Sequence, residues 1–293
     1  MSASKWIRLA AVFSMVLALH AVPAAAQGDI AWQDGPTVGK LGNHAEVKVP
    51  EGFKFAGKDG AKRFLELTQN PPNGRELGVI IPAEAEKGAF WFVIFEFDDV
   101  GYVKDEDKDK LDAGALLKSL QEGTEASNEI RKERGWDPFH IVGWYKPPYY
   151  DPKTNNLTWA IRGRGDKQGE EETINYSTRV LGRRGTMNVD LVLGANAVDA
   201  TVPQFETLLG GFDYVEGQRY AEFRPGDKIA EYGLAALITG GAAAVALKTG
   251  LFQKFWKLIV LGFVALAGAL KKGLVYLKRM MTGKAGEESP VGE

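Results

Sequence analysis

The sequence predicts an α+β fold: a mainly antiparallel sheet with about three packed helices, followed by a C-terminal transmembrane helical segment. Three observations predict it. An aromatic and β-branched run at 89–97 is apolar on both faces, as a central strand must be. The runs at 157–164, 173–181 and 186–193 follow one another as strands. Segments of helical period interrupt the strands at 59–69, 112–134 and 201–209, and this order is that of an α+β domain.

Taken along the chain, the first helix carries Ala61, Phe64, Leu65 and Thr68 on one face, and Pro71-Pro72 stop it. A short strand is expected at 76–81, before the central one. The second helix carries Leu116, Leu117, Leu120 and Ile130, with Asp112 as N-cap and Gly135 as the C-terminal glycine. At 157–164, Leu157, Trp159 and Ile161 face inward, and Thr158, Ala160 and Arg162 outward. Gly182-Arg-Arg-Gly185 turns one strand back on the next. The third helix opens with a Thr201…Gln204 capping-box pattern and ends at Gly210-Gly211, and a last strand is expected within 212–223.

The two ends of the chain read as membrane-related. Residues 1–26 look like a secretory signal peptide: Lys5 and Arg8, an apolar run over 9–19, then Ala24 and Ala26 in the A-x-A cleavage pattern. The run is short for a span, so cleavage after Ala26 is preferred to an uncleaved anchor. Residues 27–225 then form an exported domain, 226–280 a membrane anchor with segments at about 232–248 and 251–270, and 281–293 a disordered tail. Residues 27–230 carry a net charge of −8, residues 231–293 one of +4. The uncharged stretches 232–247 and 258–270 span about 20–24 Å each as helices, less than the roughly 30 Å hydrocarbon core. Hydropathy favours two spans. The five basic residues from Lys271 to Lys284 favour an odd number of crossings with the tail inside.

Composition excludes several functions. The formal charge of −2 removes a nucleic-acid binder acting by bulk positive charge, and zero Cys removes disulfides, thiol nucleophiles and thiolate metal sites. The Gly52…Gly57-Lys58 spacing resembles a phosphate loop, but Asp59 stands where Ser or Thr would hold magnesium, so a turn into a helix capped by Asp59 is the better reading. Asp105, Asp107 and Asp109 open like a calcium loop, yet Lys110 and Leu116 replace its Gly and Glu; a solvated acidic loop complementing the next helix dipole is expected. His44 and His140 lie far apart with no metal-ligand spacing. No catalytic residue, metal site or cofactor is assigned.

Two clusters are candidates for binding. Arg162 and Arg179 would fall near each other on the outer face if their strands pair through 165–172, forming an anion site for carboxylate or phosphate unless Glu170, Glu171 and Glu172 fill it. Trp144, Tyr149 and Tyr150, around Pro147-Pro148, could form an aromatic ledge for sugars or peptides; the alternative is an aromatic strand end packed on the core.

Five stretches together resemble the domain-of-unknown-function 2167 family of bacterial membrane-anchored proteins. They are Pro72-Asn-Gly-Arg-Glu-Leu-Gly78, Gly101-Tyr-Val-Lys-Asp105, Gly143-Trp-Tyr-Lys-Pro-Pro-Tyr-Tyr-Asp151, Arg179-Val-Leu-Gly-Arg-Arg-Gly185 and the run from Arg219 to Gly233. The resemblance implies an envelope protein with a C-terminal membrane segment and brings no activity. The helix and strand at 201–223 are also loosely similar to PsbP-like domains. The expected protein sits in the inner membrane with its main domain on the periplasmic side. Its partners are the lipid bilayer and an envelope ligand or membrane protein, not nucleic acid. A non-enzymatic binding module is the first reading; an envelope hydrolase or transferase using carboxylates and a structural subunit of a membrane complex are the alternatives.

Overall fold

A computed structural model describes residues 17–19, 30–84, 90–166 and 171–240. The rest of the expected signal peptide, most of the anchor and the tail lie outside the described residues, as does the whole segment at 251–270. Among the described residues no helix is long and apolar enough to cross a membrane.

Among the described residues, eleven strands and four α-helices form three layers. The strands are β1 (Gln33–Asp34), β2 (Thr37–Leu41), β3 (Ala45–Val49), β4 (Phe53–Gly57), β5 (Glu76–Pro82), β6 (Trp91–Asp98), β7 (Phe139–Asp151), β8 (Asn156–Gly165), β9 (Thr173–Leu181), β10 (Thr186–Gly194) and β11 (Phe212–Tyr214). The helices are α1 (Lys58–Leu67), α2 (Ala113–Glu133), α3 (Val198–Gly210) and α4 (Leu234–Thr239). An eight-stranded sheet runs β1-β4-β5-β6-β10-β9-β8-β7, and a small sheet runs β11-β3-β2. All pairings within both sheets are antiparallel.

The central position of β6 follows from its sequence. Val93, Phe95 and Phe97 enter the core under the small sheet and α3, with Phe205 and Leu208 of α3; Phe92 and Ile94 enter a second core under α1, with Phe64 and Leu65. Each such side chain contributes about 1.5–3 kcal/mol by leaving water, so a strand apolar on both faces is stable only where both faces are covered. A third core joins Leu116 and Leu120 of α2 to Leu157, Trp159 and Ile161 of β8 and to Leu234, Leu237 and Ile238 of α4. Phe55 fits because Gly39 and Gly78 face it: a Cβ on either would lie under 3 Å from its ring.

The expected caps divide. Asp112 accepts from the amides of Gly114 and Ala115, and Gly135 adopts φ +70°, as a C-terminal glycine does. The Thr201…Gln204 capping box is absent: α3 begins one turn earlier, Thr201 is buried inside it, and Gln204 donates to the Ala200 carbonyl. Gly57, not Asp59, is the N-cap of α1. The last strand is only three residues long, because the chain leaves the small sheet at Val215 to cross the end of the large one. The acidic loop caps a helix distant in sequence: Asp107 accepts from Leu234 at 3.1 Å and from Ala235 at 3.5 Å. Residues 226–240, expected to open the anchor, pack at least through α4 into the domain core.

Candidate functional site

Between the cores under α1 and α2 the helix-side face of the large sheet carries a row of buried polar side chains, a polar trough between two apolar clusters. Alternation builds it. In β10, Met187, Val189 and Leu191 face the small-sheet side while Asn188 and Asp190 face the helices; in β9, Ile174, Tyr176 and Val180 oppose Asn175, Ser177 and Arg179. Registers align Asn188 with Glu96 on one side and Arg179 on the other, and Asp190 with Ser177.

Most charged groups here have an internal partner. Arg179 donates to Asp190 at 2.9 Å, with its guanidinium 4.7 Å from the Trp159 ring centre. Arg75 pairs with Asp98, which also accepts from Asn188 at 3.0 Å. Glu76, fully buried, accepts from the main-chain amides of Asn73 and Gly74. Glu96 accepts from the Asn73 Nδ2 at 2.9 Å and lies 3.6 Å from the Arg75 guanidinium. Burial pushes its carboxyl up to about 7, with Asp190 and Glu76 adding and Arg75 opposing.

At the α1 end of the trough lie residues 17–19. Asn175 Oδ1 accepts the Leu17 amide at 2.8 Å, and its Nδ2 donates to the Leu17 carbonyl at 3.0 Å. Asn70, in the loop after α1, does the same for Ala18 at 2.8 and 2.9 Å. Successive residues of an extended chain direct their main-chain groups to opposite edges, so the two amides hold the segment from both sides. Leu17 enters the α1 core, and Ala18 is 3 % exposed. Arg131 of α2 donates to the Gln69 carbonyl at 3.4 Å and so ties α2 to this loop.

The structure separates Arg162 from Arg179. Arg179 pairs in register with Leu157, while Arg162 pairs with Ile174. Arg179 faces the helices, as Leu157 does, whereas Arg162 lies on the opposite side and pairs with Glu172 at 3.7 Å. The shared outer-face site is therefore not formed: an odd offset on a strand puts two side chains on opposite faces. The aromatic ledge is divided too. Trp144 donates its indole N–H to the Ala113 carbonyl, Tyr150 is buried with its hydroxyl on Asn155, and Tyr149 is exposed. Register shifts on either side of Lys146 redistribute these side chains.

His44 stacks on Phe97, with ring centres 3.8 Å apart. His140 lies between Glu125 at 2.7 Å and Asp166 at 2.9 Å, and the hydrogen bond to Glu125 leads in raising its pKa. Among the described residues no group of three or more His, Cys, Asp or Glu is placed to hold a metal ion. Sequence reasoning missed Asn70 and Asn175: Asn175 is one of several polar residues along β9, and Asn70 lies in the loop after α1, so neither stood out.

The family-like stretches meet at structural joints. Arg75 binds Asp98; the Gly101 amide donates to the Arg184 carbonyl; the Tyr102 amide donates to Lys228 and its carbonyl accepts from Ala230; Tyr102 stacks on Tyr220. Burial raises the Tyr150 hydroxyl to about 12, with Asp105 and Tyr102 adding to the shift.

Among solved structures, the chain is similar to cyanobacterial PsbP (CyanoP) from Synechocystis sp. PCC 6803, at 12 % identity over 67 % of this chain and 97 % of that one, with a TM-score of 0.36. It is also similar to the Ran-binding protein Mog1p of Saccharomyces cerevisiae, at 8 % identity over 61 % of this chain and 93 % of that one, with a TM-score of 0.31. No curated protein matches it. The pattern of the family described as "protein of unknown function (DUF2167)" matches residues 33–271, and the chain belongs to that family.

Proposed function

We propose that this chain is a membrane-anchored, non-enzymatic interaction module that faces the periplasm and binds a polypeptide partner through the trough between α1 and α2. The observation that carries the reading is what the buried polar groups there hold. Asp98 and Asp190 hold arginines, Glu76 holds amides of its own loop, and Asn70 and Asn175 hold main chain. His140 is engaged by two carboxylates and His44 lies against Phe97, and among the described residues neither is hydrogen-bonded to a hydroxyl as a general base would be. The Lys5/Arg8 start, the A-x-A pattern and the apolar run at 258–270 support the address.

The test is photocrosslinking in intact cells from Gln69, at the rim of the trough, and from Lys153 in the exposed β7–β8 turn. Adducts from position 69, in a membrane fraction whose domain is digested by protease added to spheroplasts, are expected. Adducts from position 153 alone, or a domain protected in spheroplasts, overturn the proposal.

A further inference from the structure

We propose that Asn70 and Asn175 form a clamp for an extended apolar segment of another polypeptide, and that residues 17–19 display its binding mode. This inference rests on the interaction-module reading and names the ligand class of that site.

The clamp reads main chain. Each asparagine gives one acceptor and one donor to a single residue of the segment, as a neighbouring β-strand would. Asn70 is set before any ligand arrives: its Nδ2 also donates to the Thr68 carbonyl and hydroxyl, both at 3.1 Å. Asn175 is fixed by its place in β9, between β8 and β10. Side-chain selection comes from the walls. Leu17 belongs to the cluster of Ala61, Phe64, Leu65, Phe92 and Val192, Ala18 is enclosed, and Leu19 packs on the edge of the same cluster. The fitting ligand is a large–small–large apolar triplet in extended conformation.

The occupant is a second polypeptide because of where residues 17–19 lie. They belong to the segment that cleavage after Ala26 would detach. Its departure takes away the two side-chain hydrogen bonds that Asn175 makes among the described residues, and the Ala18 partner of Asn70 Oδ1. With residues 17–19 in place the two side chains are 3 % and 0 % exposed. A chain that restores these contacts re-buries both amides with their hydrogen bonds made and covers the apolar surface that Leu17 leaves.

The experiment uses the full chain purified from membranes in detergent. Its intact mass is expected to show a start at Gln27; a chain that retains residues 17–19 overturns the proposal, the segment then being a permanent part of the fold. The probe is a fluorescent peptide of residues 14–21, Ser-Met-Val-Leu-Ala-Leu-His-Ala, followed by anisotropy. Saturable binding is expected. N-methylation of the Leu17 and Ala18 amides, which removes two donors and makes the peptide no less apolar, should weaken it at least tenfold. Ala18→Phe in the peptide should do the same. No saturable binding, or equal binding of the methylated peptide, overturns the clamp. Adducts from Gln69 in cells alongside a failed peptide would leave the interaction module standing and remove only this inference.

Discussion

The Arg183 guanidinium grips Asp227 through two hydrogen bonds, Nε to Oδ2 at 2.7 Å and Nη2 to Oδ1 at 2.8 Å. Arg183 lies in the turn between β9 and β10, and Asp227 in the segment that crosses the sheet end on its way to α4. A forked pair of this kind fixes orientation as well as distance. Asp227 also accepts from the Arg224 amide at 2.7 Å, so one carboxylate closes its own turn and docks it.

The hydrogen bond from Arg183 leads in holding the Asp227 carboxyl at about 2, below its ordinary 3.8. A lowered folded pKa means stability that is present above the unfolded value and lost as pH falls through the folded one. The wild type should melt above Asp227→Asn at pH 6, and the gap should close towards pH 2. Thermal melts of the two proteins across that range check it; a gap independent of pH refutes it.

Arg179→Ala would leave Asp190 as a buried carboxylate without its cation and would bare Trp159. Loss of one partner of a buried pair costs about 3–5 kcal/mol, so urea unfolding should show a destabilisation of that order. Adding Asp190→Asn should recover part of it, because the uncompensated charge goes.

For Glu96 the sign is opposite. Burial raises its carboxyl from 4.5 to about 7, so the folded state holds the proton more tightly than the unfolded state. Its contribution is favourable below about pH 4.5 and declines as pH rises towards 7. Glu96→Gln should therefore gain on the wild type between pH 5 and about 7.5, measured as the difference in melting temperature. A constant difference would show that Glu96 is ionised throughout.

Tyr214 joins the small sheet to the large one. Its hydroxyl donates to the Val180 carbonyl and accepts from the Met187 amide, both at 2.8 Å, and burial raises its pKa. Tyr214→Phe keeps the ring and removes both hydrogen bonds of the hydroxyl, at a cost of about 1–3 kcal/mol in chemical denaturation. An unchanged midpoint would mean that water replaces the hydroxyl.

The sequence by itself determined the parts whose signal is local. The central strand at 91–98, the β9–β10 hairpin closed by the Gly182 amide on the Gly185 carbonyl, and α2 with its Asp112 cap and Gly135 were legible. Periodicity, caps and turns act over a few residues, so a one-dimensional reading captures them. Tertiary structure decided everything that depended on which face or which distant partner. Arg179 reads as an outward charge until the register sets it opposite Leu157, over Trp159. The apolar residues of α4 read as lipid-facing until α2 covers them, because hydrophobicity drives burial without naming the partner. Asp107 reads as solvated until α4 brings its free amides to it. Asn70 and Asn175, on different elements, carry no shared pattern; only the pairing of β9 in the sheet and the end of α1 bring them to opposite edges of one extended segment.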